Sequence, residues 1–162
     1  MQILEFVNKS PNKNPSFSDV GSSGFDLRAW ITEETEGFLN ENNKYAYVLK
    51  PLERKMVHTG LYFNVPKHCE IQVRPRSGLS IKKGLTVINT PGTIDESYTG
   101  ECCILVINLS NENIMIESGD RIAQGILCPV YNGYDVYLGQ VNDILKETER
   151  GDGGFGHTGI TG

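Results

Sequence analysis

Eighteen glycines and seven prolines cut the 162 residues into short stretches rich in β-branched and aromatic side chains, and this punctuation constrains the fold more than any other feature. Short strands joined by tight turns suit such spacing, whereas long helices do not. The pattern predicts strands over residues 2–7, 25–30, 45–49, 55–65, 70–74, 86–88, 101–108, 114–116 and 121–130. That succession argues for an all-β sandwich or barrel. Residues 102–107 are continuously apolar, which predicts a strand buried on both faces. Two polar segments, 8–23 and 32–44, read as surface loops. The one clear helix signal is Ser77-Gly78-Leu79-Ser80-Ile81-Lys82-Lys83-Gly84, with Ser77 as the expected cap and Gly84 as the stop.

Length and charge narrow the function. The chain fits one domain, and 38% hydrophobic against 22% charged residues favours a packed globule over disorder. No apolar run approaches the ~20 residues that span a bilayer, and the first residues lack the basic start and apolar stretch of a signal peptide. A net charge of −5 argues against binding a nucleic-acid polymer, although a few focused arginines can still hold a small polyanion. The four cysteines and three histidines show no zinc-ligand spacing, so buried free thiols in a reducing cytoplasm are the expectation.

Several segments carry chemistry. Gly151 to Thr158 nearly matches a phosphate-binding P-loop, with His157 where lysine is required. A P-loop needs a following helix, and the chain ends four residues after Thr158, so that reading fails on context. Its glycine amides and Arg150 could nevertheless wrap phosphates, and Phe155 suggests something to stack on; a plain unstructured terminus is the alternative. Arg74-Pro75-Arg76-Ser77 places two arginines before a helix start, which makes either an anion site or an ordinary cap with solvated arginines. Residues 89–101 read as strand–turn–strand, bending at Pro91-Gly92 and again near residues 97–100. Asp95 there could activate water, or be one more solvated turn carboxylate. Asp120 and Arg121 are expected to pair across their turn, and the amide of Gln124 needs a partner in its apolar strand.

The order and wording of five segments resemble the trimeric dUTP diphosphatase (dUTPase) family along nearly the whole chain. They are Gly24-Phe25-Asp26-Leu27-Arg28-Ala29, Arg74 to Ser80, Asn89 to Glu101, Gly119 to Gln124, and Arg150 to Gly159. The resemblance implies a distorted jelly-roll β-barrel over residues 1–149, with one short helix after the second motif and a glycine-rich closing tail over 150–162. It implies a cytoplasmic homotrimer with active sites shared between subunits. The implied reaction is Mg²⁺-assisted hydrolysis of dUTP to dUMP and pyrophosphate, with Asp95 as the base that activates water. Asn89 would read the uracil edge, and Tyr98 would pack under the deoxyribose and exclude a 2′-hydroxyl. Arg76, Ser77, Gly78, Thr93 and Gln124 complete the implied substrate-binding set in the barrel, and Arg150, Phe155, Gly156, His157 and Thr158 in the tail. The metal would be held by phosphates and water, with no direct protein ligand and Asp26 acting at most through water.

Three positions depart from the family pattern: Ser97 where a second aspartate is common, Phe25 where tyrosine or methionine is frequent, and His157 in place of serine. Two other readings compete. A dCTP deaminase of the same fold would need a glutamate beside the base, for which Glu101 is the candidate. A non-catalytic nucleotide-binding barrel would tolerate a damaged site, yet Asp95, Arg76, Ser77, Gln124 and Arg150 are all present.

Overall fold

A computed structural model describes residues 2–144, 147, 148, 151 and 153. Twelve strands and one helix follow in the order β1 (Glu5–Asn8), β2 (Phe25–Arg28), β3 (Phe38–Leu39), β4 (Tyr45–Leu49), β5 (Arg54–Val57), β6 (Leu61–Asn64), β7 (Cys69–Pro75), α1 (Ser77–Lys83), β8 (Leu85–Val87), β9 (Gly92–Ile94), β10 (Ile104–Asn108), β11 (Ile114–Glu117) and β12 (Arg121–Pro129). All pairings are antiparallel, in sheets ordered β1-β6, β5-β10-β8, β11-β4-β3 and β2-β12-β7-β9. The four sheets wrap one core, a distorted jelly-roll barrel built around Leu27, Leu49, Val57, Ile71, Ile104 and Ile116. Among the described residues no helix is long and apolar enough to cross a membrane.

Strand alternation explains the core. Inward residues of β2 and β7 are apolar while their neighbours stay partly exposed, the period-two signature of a sheet with one buried face; β12 breaks this pattern where its register shifts between Arg121 and Ala123. Two buried polar residues are fully bonded. Asn108 donates to Leu49 O (2.9 Å) and Glu112 O (2.7 Å), and its carbonyl accepts from the Ser110 amide and hydroxyl, both at 2.8 Å. Thr59 donates to Cys102 O at 2.6 Å and accepts from Leu61 N at 3.1 Å.

Five sequence expectations are corrected. Residues 55–65 do not form one strand: β5 ends at Val57, and Gly60 with φ of +71° turns the chain into β6 on a different sheet. The β-branched run hides a break that only glycine's left-handed conformation reveals. The 32–44 loop contains β3, paired to β4, and β9 forms within the segment read as a bend at Pro91-Gly92. Residues 102–107 alternate instead of being buried throughout; Leu105 is 38% exposed while Ile104 and Val106 are fully buried. Finally, Ser77 is the first helical residue and caps nothing. Arg76 occupies the cap with extended backbone, because its carbonyl accepts the first helical bonds from Leu79 and Ser80, both at 3.0 Å. Gly84 ends the helix as expected, at φ of +69° and bonded to Ser80 O.

Candidate functional site

Central strand β12 assembles the first half of the site. Gln124 stands opposite Asp26 of β2 on one side and Arg74 of β7 on the other, and Arg76 follows directly where β7 gives way to α1. A hollow of about 490 Å³ opens there, lined by Ser22, Asp26, Arg76, Ser77, Gly78 and Gln124 among others. Asp26 receives the Arg76 Nε at 3.4 Å and the Arg121 Nη1 at 3.1 Å. Arg76 Nη1 also donates to Arg121 O at 3.1 Å, and Gln124 Nε2 to Pro75 O at 3.0 Å. A side chain at position 24 would meet the Gln124 carbonyl oxygen at 2.7 Å, so glycine lets that amide lie flat.

One carboxylate shared by two guanidiniums leaves N–H groups and positive charge for an anion. Ser77 and Gly78, whose amides precede the first helical bonds, line the same hollow. Arg74 contributes nothing here, since it turns back to Gln72 on its own strand. The expected Asp120–Arg121 pair is also absent. Asp120 lies before β12 and closes the turn back onto β11, accepting from Glu117 N at 3.0 Å, while Arg121, the first residue of β12, reaches across to Asp26.

The second half lies on the opposite edge of the same sheet. Strand β9 pairs with β7, and the chain then turns through Asp95–Tyr98, closed by Tyr98 N to Asp95 O at 3.1 Å. This turn begins two residues before the one expected at 97–100. Asn89, Thr93, Asp95, Ser97 and Tyr98 are all exposed. The Asn89 amide folds over Gly92, where an added Cβ would lie 3.1 Å from its Nδ2. Tyr98 donates to Glu101 O at 3.0 Å, its ring lying so close to Gly100 that any side chain there would collide.

A second hollow of about 350 Å³ runs past Asp95, Glu96, Ser97, Asn132 and Tyr134. Glu96, which the sequence reading passed over, accepts from His68 N (3.0 Å) and Asn132 Nδ2 (3.2 Å) and so ties the Asp95 turn to the chain after β12. His68 in turn pairs with Asp135 at 2.9 Å, and that bond, helped by the Asn132 amide, holds the Asp135 carboxyl below its usual range. Only Asn132-Gly133-Tyr134-Asp135, a turn-forming run, could have signalled this brace in sequence.

The two hollows share no lining residue. Register gives their separation: Ile94 stands opposite Ile71, which puts Asp95 level with Glu70, six residues from Arg76 or about 20 Å along the strand. Within one chain, therefore, Asp26, Arg76, Ser77, Gly78 and Gln124 come together, while Asn89, Thr93, Asp95 and Tyr98 form a separate group. Arg150, Phe155, Gly156, His157 and Thr158 lie outside the described residues.

Comparison with known proteins identifies a family. The dUTPase family model matches residues 42–159. A deoxyuridine 5′-triphosphate nucleotidohydrolase of Finegoldia magna is 50% identical over 156 residues, covering 96% of this chain and 98% of its own. A protein of the same description from Cytophaga hutchinsonii is 44% identical, covering 96% of this chain and 91% of its own. In fold, the chain superposes on a mutant dUTPase of Staphylococcus bacteriophage 80alpha, bound to dUpNHpp, with a TM-score of 0.80 at 23% identity over 99% of this chain and 100% of the other.

Proposed function

The chain belongs to the dUTPase family, and from that premise we propose that it hydrolyses dUTP to dUMP and pyrophosphate in active sites shared between the subunits of a homotrimer. The observation that carries the sharing is the distance of about 20 Å, along β7, between the level of Asp95 and Arg76. The attacking base and the phosphate-holding arginine must act on the same triphosphate, so they come from different copies. Exposed apolar residues on the outward side of β5, β10 and their flanks, Met56, Ile88, Leu105 and Leu109, supply a face for such assembly.

Asp95 takes a proton from a water lined up behind the α-phosphorus. A bond forms from the water oxygen to phosphorus, and the bond to the α,β-bridging oxygen breaks as pyrophosphate leaves. The exposed position of Asp95, on a turn braced through Glu96, suits a base that must meet a partner's ligand. Arg76, Ser77, Gly78 and Gln124 hold the phosphate oxygens, with charge-assisted bonds from Arg76. Asn89 and Thr93 face the uracil, and Tyr98, fixed by its bond to Glu101 O, sits beneath the sugar and leaves no space for a 2′-hydroxyl. Arg150, Phe155, Gly156, His157 and Thr158 of the tail (150–162) close over the nucleotide.

The donor set suits Mg²⁺ held by phosphates. Among the described residues Asp26 is the only carboxylate lining the Arg76 hollow, and it is already paired to two arginines, so it acts through water at most. When bound, the ion offsets the negative charge of the triphosphate. Four unpaired cysteines, two buried and two half-buried, support a reducing, cytoplasmic setting.

The deaminase reading loses its candidate residue. Glu101 is tied to its own barrel: one oxygen accepts from Thr59 N and Gly60 N, and the other lies 2.8 Å from His58. The test is pyrophosphate release from dUTP against dTTP, dCTP and UTP, with and without Mg²⁺. Rapid release from dUTP alone is expected; ammonia release from dCTP, or tight dUTP binding without turnover, would replace this reading with the deaminase or the non-catalytic barrel.

A further inference from the structure

One cluster on the barrel serves none of the roles above. His58 follows β5 and Cys103 precedes β10, so extending the Ile104↔Val57 register by one step sets them opposite each other. Glu101 stands two residues before Cys103, on the same side of the chain. His58 Nδ1 lies 2.8 Å from Glu101 Oε2 and 3.7 Å from Cys103 Sγ. One donor atom from each residue falls within 4.8 Å of the other two, and all three residues are half-buried.

We propose that His58, Glu101 and Cys103 bind a divalent transition-metal ion of the zinc type, with water completing a tetrahedron. The donor set selects the metal: a thiolate with an imidazole favours zinc over magnesium or calcium, which prefer oxygen. Geometry is close to what is needed. Metal bonds of about 2.0 Å to nitrogen and oxygen and about 2.3 Å to sulfur place tetrahedral donors roughly 3.3–3.5 Å apart. His58 and Glu101 need to separate by only about half an ångström, and Cys103 to approach His58 by less.

The site is braced from behind. Glu101 Oε1 accepts from Thr59 N at 3.1 Å and Gly60 N at 2.7 Å, which fixes the carboxylate and leaves Oε2 turned toward His58. Hydrogen bonds to the non-ligating atom are what orient metal-binding carboxylates. Burial, then the neighbouring Glu101 charge, pushes the Cys103 thiol up to about 11, so without metal it stays protonated beside a carboxylate. On binding, bonds form from the metal to Sγ, Oε2 and Nδ1. The S–H bond breaks and its proton goes to solvent; the imidazole hydrogen that Nδ1 had donated to Glu101 moves through solvent to Nε2, so the His58–Glu101 hydrogen bond is given up with no further net proton release.

The separation of 45 positions between His58 and Cys103 hides the site from any reading of ligand spacing. The experiment uses the full chain, stripped of metal by chelation and free of nucleotide. Titration with Zn²⁺ by calorimetry, and with Co²⁺ by absorption, should give one ion per chain, about one proton released, and a thiolate-to-cobalt band in the near ultraviolet. Cys103→Ser should remove the band and weaken binding at least ~100-fold, with a similar loss in His58→Ala. Cys128→Ser, on β12, should change neither. Should the variants fail to fold, Zn²⁺ must still protect Cys103 and not Cys128 from alkylation in the unaltered protein. No stoichiometric binding, a band that survives Cys103→Ser, or no protection of Cys103 overturns the proposal.

Discussion

The hollow at Arg76 and the turn at Asp95 sit on opposite edges of one sheet and are built in opposite ways. Around Arg76 three strands and a helix start converge, and the polar side chains are already tied to one another: Asp26 to Arg76 and Arg121, Gln124 to Pro75 O. Around Asp95 a single turn projects its side chains into solvent, and Glu96 holds the turn from outside. The first region is organised by its own chain. The second is held in shape through Glu96 while its own side chains stay exposed. A reaction that needs both regions makes assembly a condition of activity.

The largest effect that could break this contrast is on turnover. Asp95→Asn and Arg76→Ala should each lower dUTP hydrolysis by roughly 10²–10⁴-fold. Unfolding the two variants together and refolding the mixture should recover activity, because random trimers contain sites with both residues intact, about a quarter of the total. Pyrophosphate release that stays at the single-variant level would mean each chain uses its own pair.

The next effect tests how rigid the Arg76 edge is. A Cβ at Gly125 would lie 2.6 Å from the Phe25 ring and 3.3 Å from Ile71. Gly125→Ala should therefore cost about 1–3 kcal/mol in denaturant unfolding, the usual toll of overpacking. An unchanged midpoint would show that this edge yields as readily as the turn.

A smaller effect is expected in acid. Burial is the largest single influence on Glu101 and raises its pKa, but the His58 contact and the Gly60 and Thr59 amides together hold it below the ordinary 4.5. A carboxyl lowered in the folded state stabilises fully above its unfolded value, and that contribution fades as pH falls through the folded one. Melting temperature should therefore drop on acidification below about pH 4.5, and Glu101→Gln should flatten the slope. Parallel profiles for the two proteins would remove Glu101 from the acid response.

The smallest change concerns Arg121, whose guanidinium is 45% exposed. Arg121→Ala should alter stability by about 0–1 kcal/mol, as exposed ion pairs do. Its use lies in affinity: if nucleotide binding weakens while Arg76 keeps its contact with Asp26, the second guanidinium also serves the hollow.

Much of this was legible beforehand at the level of strands. Alternation in residues 25–28 and 70–74 marks two strands of the sheet that carries the candidate site, and Gly84 marks the helix end. Misreadings came where local pattern and long-range geometry disagree. The run over 55–65 is uniformly strand-forming, yet one positive φ at Gly60 sends it to another sheet. The apolar run at 102–107 promised burial on two faces, but the isolated chain covers only one. Asp120 and Arg121 are neighbours in sequence, yet one closes a local turn and the other pairs with a different strand.

By itself the sequence determined the all-β class, the motif order and the residue types able to hold phosphate and move a proton, because turn chemistry and strand alternation are local properties. Only the tertiary structure decided which of those residues meet. Antiparallel register brings Asp26, Gln124 and Arg76 together across three strands, places Asp95 at the far edge, and sets His58 against Cys103 across 45 residues. Register is fixed by the packing of the whole barrel, and no stretch of sequence contains that information alone.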